Sequence, residues 1–526
     1  MSATSSAGFG EEKPASYDAE KTGSTTASHT LRGDRYAEGL GDLQVLKTTD
    51  SESLKLASDG VTVLIPQPSD DPNDPLNWTW VKKHLVLLSL VFASLLTDFG
   101  MTYGTVLFQA QAPTFHMSVP AVANSISAAV FLQGPGGVLA VPLVQRYGRL
   151  PVLFWSQFLC ALMVMAAALS PNYACFAAFR ALQGFVNTAP QVVGLSVVHD
   201  MFFFHNRTRR VNLWVFCLLG GPFLGPFVAA WLITAVNWRA DYGVLAGLHG
   251  VSTLMVIFLG DETLYERGNP QPREQGARGR IKLILGITGL KAKGRPGLWA
   301  VTKEIISIQL RPQIFFLTVV YVMVLIAWVI GVNTTISQLV VPPPYSFSAA
   351  AEACSWIAPM IGAALGEFWG HWFNDWLCRR YIQQHNGVYV LENRLWGTYA
   401  PSLVGFAGLV LYGQALQHTL HWSALLIAWA CIAFAMIAAT TAVSAYCLDS
   451  FPNHASLVAA IINMWRSSGG FCVVYFQLKW IATSGPAVSF GCQAMILGVA
   501  FLVGVVSTQA FGQKWRTKHP PPRPDN

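Results

Sequence analysis

The stretch HLVLLSLVFASLLTDFGMTYGTVL, residues 84–107, contains one acid, Asp98, and no lysine or arginine. A helix rises about 1.5 Å per residue, so roughly 20 apolar residues cross the hydrocarbon core of a bilayer. Runs of this length recur along the chain, separated by short polar breaks. The pattern predicts twelve membrane-spanning helices, near residues 84–107, 120–143, 151–170, 173–198, 211–235, 240–260, 312–340, 350–373, 396–417, 422–447, 455–478 and 486–509.

The composition excludes most soluble proteins. Of the 526 residues, 53% are hydrophobic and 12% are charged, which is about half the charged fraction of a soluble domain. The net charge of +7 does not indicate a nucleic-acid partner, because the basic residues lie in short breaks and form no stripe with interleaved aromatic side chains. The nine cysteines are scattered, mostly within apolar runs, as small buried thiols are, so neither disulfides nor a metal site is expected. The sequence therefore predicts an all-α integral membrane protein.

Basic residues set the predicted orientation. They concentrate in the breaks after the second, fourth, sixth and eighth spans and near the C-terminus, and cytosolic loops are enriched in Lys and Arg. Both termini are therefore expected in the cytosol. The predicted domains are a disordered cytosolic tail at 1–83, a six-helix bundle at 84–260, a cytosolic interdomain loop at 261–311 with an amphipathic helix near 297–310, a second six-helix bundle at 312–509 and a cytosolic tail at 510–526.

The two halves of the chain share weak sequence similarity. The fourth span ends at Asp200 and the tenth ends at Asp449, and an Asn-x-Trp followed by paired glycines opens both the fifth and the eleventh spans. Two related six-span halves place a binding site near the bilayer midplane, between them.

The break after the second span carries a family resemblance. It reads VPLVQRYGRLP, residues 141–151, and resembles the cytoplasmic signature loop of the major facilitator superfamily, Gly-x-x-x-Asp-Arg-x-Gly-Arg-Arg. Arg146, Gly148 and Arg149 match that loop, whereas Gln145 stands where the family has its acid. The resemblance implies that these residues gate the cytoplasmic side by charge pairing. The alternative is a basic inner loop with a tight glycine turn.

Two further motifs are similar to those of drug:proton antiporters. Arg180-Ala-Leu-Gln183-Gly in the fourth span resembles Arg-x-x-Gln-Gly, and Gly221-Pro222-Phe-Leu-Gly225 in the fifth resembles the antiporter signature. Arg180, Gln183, Asn187 and Gln191 share one helix face, and we expect Arg180 to face a polar cavity because an intramembrane charge is costly. The alternatives are a hydrogen-bonded seam between helices and an ordinary glycine–proline packing kink.

Other segments resemble the fungal branch of these twelve-span antiporters, which also includes polyamine-type and general-substrate transporters. They are the Asp-Pro-x-Asp-Pro-x-Asn-Trp lead-in at 71–78, Asp-Glu-Thr at 261–263 and GVYVLENRL at 387–395. The segment GEFWGHWFNDW, residues 366–376, resembles a second signature loop, with Asp375 and Arg379 in gating positions and Asp200 as a further gating acid.

Acids inside the predicted spans are candidates for proton binding. Asp98, Glu352 and Glu367 are the three, and intramembrane acids are functional candidates by default. Asp98 ranks first, and Tyr103 beside it is expected to contact substrate. Glu367 could instead be structural and pair with Arg149 or Arg379. In the second half, the residues expected to line the cavity are Asn333, Trp356, Asn463 and Arg466. For the first three the alternative is a packing role, whereas an intramembrane charge such as Arg466 needs a partner.

The resemblance implies two six-helix bundles and a proton-coupled transporter that works by alternating access. Efflux of drug-like or secondary-metabolite molecules by antiport is favoured. The alternatives are uptake of polyamine-like cations by proton symport and a non-transporting sensor on the same fold. We expect no enzymatic activity, cofactor or metal. The expected partners are a small-molecule substrate, protons and the lipid bilayer, without nucleic acid, for a monomer in the plasma membrane or, as the alternative, in the vacuole or another endomembrane.

Overall fold

The computed structural model describes residues 64, 66–265, 274, 276–291, 295–384, 390–451 and 454–519, without the side chains of 204–209, 212, 371, 375, 379 and 382. The described part of the chain is helical and contains no β-strand. The main helices, numbered by the predicted span that each occupies, are α1 Trp80–Thr102, α2 Ser125–Tyr147, α3 Arg149–Ala168, α4a Tyr173–Val186, α4b Ala189–Met201, α5 Phe204–Leu232, α6 Trp238–Phe258, α7 Met323–Val340, α8 Ile357–Phe368, α9 Tyr399–Gln417, α10 Trp422–Ser450, α11 Ala455–Ser484 and α12 Pro486–Phe501.

Shorter helical segments extend or connect these helices. They are Pro75–Asn77, Tyr103–Val106, Phe108–Phe115, Val119–Ala123, Ala277–Leu285, Ile287–Lys291, Leu298–Gln309, Pro312–Phe315, Phe316–Val322, Ala349–Ser355, Trp369–Phe373, Asn374–Gln384, Leu391–Thr398, Leu502–Val506 and Ser507–Lys518. With these extensions, eleven helices among the described residues are long and apolar enough to cross a membrane.

The fourth predicted span, near residues 173–198, is not one continuous helix. α4a ends at Val186 and α4b begins at Ala189, with Pro190 in its first turn. Proline has no backbone N–H and clashes with the carbonyl four residues earlier, so the helix breaks just before it. The two pieces together still run from one end of the molecule to the other. Ser170, just before α4a, accepts a hydrogen bond from Arg239 at one end, and Asp200, at the end of α4b, pairs with Arg149 at the other.

The helices form two bundles that meet along two seams. Within the first half, α1 packs against α5, α2 against α4a and α3 against α6. Within the second half, α9 packs against α10 and α12, and α8 packs against α10. The halves contact each other through α2 with α11 and through α5 with α8. In each contact, the second helix of one half therefore meets the fifth helix of the other. Residues of α1 and α7 lie between the bundles, where they line a cavity.

The linker helix, Leu298–Gln309, confirms the helix expected near 297–310. It packs against α2 and α11, one helix from each half. Glu304 Oε1 lies 2.8 Å from His454 Nε2, and Trp465 Nε1 donates to Gln309 at 2.7 Å. We call this end of the molecule, which also holds Asp200 and the start of α1, the linker end.

The described residues include a folded segment within the tail expected at 1–83. Residues 1–63 lie outside the described residues, but the lead-in before α1 is folded. Asp74 is fully buried and accepts hydrogen bonds from Ser69 and from the Leu76 N–H, and Lys83 Nζ donates to the Leu76 carbonyl at 2.8 Å. These bonds fix the lead-in to the first turn of α1, whose N-cap is Thr79.

Candidate functional site

A cavity of about 60 Å³ lies between the two bundles. Its size suits a few water molecules, whereas drug-sized ligands need roughly 300–1,000 Å³. Most of its wall is apolar, formed by Met101, Ile126, Val130, Leu219, Pro222, Ile326, Val329, Ile330 and Met436. The polar lining residues are Asp98, Thr102, Gln133, Asn333, Thr334, Thr440, Arg466 and Ser467. Among the described lining residues, Asp98 is the single acid and Arg466 the single cation.

Asp98 and Arg466 form an ion pair across the interface between the bundles. Arg466 Nη1 lies 2.7 Å from Asp98 Oδ2, and Arg466 Nη2 lies 3.1 Å from Asp98 Oδ1. Both residues were expected at the site, but the sequence did not pair them, because 368 positions separate them. The bidentate geometry joins α1 of the first half to α11 of the second and neutralises both charges.

Amide side chains hold the pair in place. Gln133 Nε2 donates to Asp98 Oδ1 at 2.6 Å and to Gln191 at 3.2 Å. Asn463 Oδ1 accepts from Arg466 at 3.1 Å, and Asn463 Nδ2 donates to the Gln133 carbonyl. Gln191 and Asn463 thus lie at the site as expected, whereas Gln133 was missed. Its signal was available, since it is a polar residue within the apolar run of the second span.

The glycines of the fifth-span motif press α5 against α1 at the level of Asp98. A Cβ at Gly221 would lie 2.6 Å from the Leu95 carbonyl oxygen, and one at Gly225 would lie 2.4 Å from that of Phe99. Pro222 lies on the cavity wall. The motif therefore sets how closely α5 approaches the helix that carries Asp98.

Arg180 lies elsewhere than expected. It is 1% exposed and outside the cavity wall, and its guanidinium donates to the carbonyls of Gly100 at 2.9 Å and Met101 at 2.7 Å. Gln183 accepts from it at 2.6 Å, and Asn187 donates to the carbonyl of Thr97. Gln183 Nε2 also donates to the Gly100 carbonyl at 3.3 Å, so three of the four residues on this face bind the backbone of α1. This is the hydrogen-bonded seam that the sequence left as the alternative.

Tyr103 also points away from the cavity. It is fully buried, donates a short hydrogen bond to Asp241 of α6 and lies outside the cavity wall, so its contact with substrate stays a prediction. Asn333 lies on the cavity wall, where Trp429 Nε1 donates to its Oδ1 at 2.8 Å. Trp356 packs behind, with its ring edge against Trp429 at 4.7 Å between centroids.

The other two candidate acids lie outside the cavity wall. Glu352 Oε1 and Glu367 Oε2 are buried, and neither atom has a hydrogen-bond partner among the described residues. The pairing of Glu367 with Arg149 is not formed, because Arg149 binds residues of its own half.

The signature loop forms a charged cluster at the linker end. Arg149 pairs with Asp200 and donates to the Ser196 carbonyl at 2.7 Å. Glu262 accepts from the N–H groups of Arg149 and Leu150, which caps the N-terminus of α3. Gly148 has φ of +108°, and a Cβ there would lie 2.3 Å from Glu262, so this position requires glycine.

Arg146 joins this cluster to the segment before the linker helix. Its Nη1 donates to the Arg295 carbonyl at 3.4 Å, and Arg295 Nη1 donates back to the Arg146 carbonyl at 3.0 Å.

A corresponding cluster exists in the second half. Arg394 Nε lies 2.5 Å from Asp449, at the end of α10, as Arg149 meets Asp200 at the end of α4b. The backbone of Asp375 and Arg379 lies in the helix Asn374–Gln384, but their side chains are outside the described residues.

The sequence and the fold are similar to those of known membrane transporters. The family model of the Major Facilitator Superfamily matches residues 89–473. The MFS-type transporter penM of Penicillium rubens is 27% identical over 85% of this chain and 88% of its own length. The efflux pump radE of Floropilus chiversii is 24% identical over 79% of this chain and 78% of its own length. The solved structure of the xylose transporter XylE from E. coli covers 82% of this chain and 99% of its own, with a TM-score of 0.56 and 12% identity, a likeness of fold alone.

Proposed function

Because the chain belongs to the Major Facilitator Superfamily and is a multi-pass membrane transporter of that fold, we propose that it couples the movement of small organic molecules to protons by alternating access. Efflux of drug-like or secondary-metabolite molecules is the favoured role. The relative named efflux pump radE supports this direction, as does the antiporter-like motif at Gly221–Gly225.

One observation supports the coupling most strongly. The Asp98–Arg466 pair joins the two bundles at the wall of a cavity too small for a drug-sized ligand. Substrate access therefore requires the bundles to separate, and separation must break the pair. An ion pair taken from water is costly to leave with one charge uncompensated. A proton on Asp98 removes the attraction between the two side chains, and with it the ion pair that joins the bundles, which would make separation depend on protons.

The proposed orientation places the linker end in the cytosol. Basic residues are concentrated there, including Arg149, Arg394 and Arg516, and cytosolic loops are enriched in such residues. The paired clusters at Asp200 and Asp449 would then act as cytosolic latches, one for each half. We keep a monomer in the plasma membrane, with the proposed bundles at 84–260 and 312–509, as part of this proposal.

Uptake of polyamine-like cations is less well supported. A polyamine presents several ammonium groups, whereas the described cavity wall offers one acid, and that acid is already neutralised by a neighbouring cation. A sensor without transport activity would not need the latches to open.

Flux in proteoliposomes tests the proposal. We expect uptake or release of a substrate from a chemically diverse panel to change with an imposed pH gradient, measured with the gradient in each direction. Asp98→Asn should remove the response to the gradient. Flux that ignores the gradient in the unaltered protein would refute proton coupling.

A further inference from the structure

Within the Asp98–Arg466 pair, only Asp98 can change its charge by binding a proton. A carboxylate accepts a proton to become neutral, whereas a guanidinium does not lose its proton in proteins. When Asp98 takes up a proton, Arg466 therefore keeps its charge and loses its counter-ion. Arg466 is then a largely buried cation in a mostly apolar cavity, with Asn463 Oδ1 and the uncharged Asp98 carboxyl as side-chain acceptors and no counter-ion among the lining residues.

Charge balance selects what enters next. With the pair intact, the cavity is neutral. With Asp98 protonated and no ligand bound, it carries one uncompensated positive charge, which is expensive at low dielectric. An anion on Arg466 restores neutrality, whereas a cation on Asp98 would leave the cavity positive and place like charges about 3–4 Å apart.

We propose that the substrate of this cavity is an amphipathic organic acid whose anionic group replaces the Asp98 carboxylate on Arg466 while Asp98 holds the proton. The proposal rests on the proton-coupled transport proposed above and adds the substrate class and the order of charges. Arg466 offers two donors to one carboxylate in this structure, and a substrate carboxylate or sulfonate fits the same two donors.

The remainder of the cavity suits the apolar part of such a molecule. Six of the nine apolar lining side chains belong to α2, α7 and α10, and Gln133 of the polar lining donates to Asp98 of the ion pair. A ligand with one anionic group and an aromatic or aliphatic body would place each part against a matching surface once the bundles separate.

Proton and anion binding should then assist each other. The loaded cavity holds a neutral Asp98, a charged Arg466 and the anion, and the empty cavity holds the ion pair, so both are neutral. Proton and acid would cross together in the same direction, which replaces the antiport favoured from the sequence with co-transport, and the combined gradients would set the direction. Exchange of a proton against the substrate, by contrast, requires that the two bind in turn.

Calorimetric titration of the purified full chain with three shape-matched probes tests this. The probes are naphthalene-2-sulfonate, which stays anionic at every pH used, its uncharged sulfonamide and the 2-naphthyl-trimethylammonium cation. We expect the sulfonate to bind most tightly, with uptake of one proton measured from buffers of different ionisation enthalpy. Its Kd should fall about tenfold for each unit decrease in pH while Asp98 is ionised in the empty protein.

Variants separate the two charges. Asp98→Asn should bind the sulfonate tightly and without pH dependence, because the competing carboxylate is gone. Arg466→Gln should bind the sulfonate no better than the sulfonamide, and Arg466→Lys should retain the pH dependence with weaker affinity. Lys282→Gln removes a surface cation of the interdomain segment and should leave both the preference and the pH slope unchanged.

The outcomes distinguish this proposal from the function it rests on. A sulfonate that binds no better than the sulfonamide overturns the proposal. Tighter binding of the ammonium probe with release of a proton also overturns it, yet leaves proton-coupled antiport of cations standing. Anion binding that requires Arg466 but takes up no proton would refute the role of Asp98, and flux independent of the pH gradient would refute the proposed function itself.

Discussion

Neutralising Asp98 and Arg466 singly and together should show that the pair stabilises the folded protein across the interface between the bundles. The two side chains are 6% and 12% exposed and make two close contacts, at 2.7 and 3.1 Å. Removing one partner of such a buried pair costs about 3–5 kcal/mol, since the other charge is left uncompensated.

The neighbouring side chains place the expected cost of each single change at the low end of this free-energy range. In Asp98→Asn, Arg466 retains Asn463, and in Arg466→Gln, Asp98 retains the donor Gln133, so each single change should cost about 3 kcal/mol. In the double variant no charge is left unpaired, and we expect a total cost near that of one single change. The coupling free energy should therefore be at least about 2 kcal/mol.

Denaturant unfolding in detergent, followed by the fluorescence of the 18 tryptophans, measures the three free energies. The control is the same cycle at the exposed pair Lys282–Glu274, at 2.6 Å, where coupling should stay below about 1 kcal/mol. Single-variant costs at Asp98 and Arg466 that simply add in the double variant would refute the reasoning, because they would mean that the two charges do not depend on each other.

Three further predictions concern the helices around the pair. Gly225→Ala should destabilise the protein by about 1–3 kcal/mol, since its Cβ would lie 2.4 Å from the Phe99 carbonyl oxygen, whereas Gly220→Ala, with no atom within 4 Å, should be neutral or slightly stabilising in the same unfolding assay. Equal costs at the two glycines would contradict the close packing of α5 on α1. Glu262→Ala should remove the cap of α3, at about 0.5–2 kcal/mol, and speed hydrogen exchange at residues 149–153; unchanged exchange there would argue against the cap. Arg180→Ala should cost about 1–3 kcal/mol for each α1 carbonyl it leaves unpaired, while the ligand affinity of the folded protein changes little; a large loss of affinity at normal stability would instead place Arg180 in the binding site.

The membrane fold could be predicted from local pattern alone. Apolar runs of fixed length and basic breaks between them describe single helices and their ends, which depend on neighbouring residues only. The family motifs added the two-bundle arrangement, and the linker helix was visible in its own segment. The break at Pro190 was also a local signal, but the length of the surrounding apolar run concealed it.

The partner that each side chain binds could not be predicted from neighbouring residues. Arg180 and Arg466 are both intramembrane arginines in the sequence, yet one binds α1 carbonyls within its own bundle and the other binds an acid of the opposite half. Helix periodicity states which residues share a face, but not which neighbour that face meets. That neighbour is decided by how twelve helix-length segments pack, and pairing across 368 positions exists only after both bundles have formed. The sequence by itself therefore determined that Asp98 and Arg466 needed partners, and only the tertiary structure decided that they are each other's.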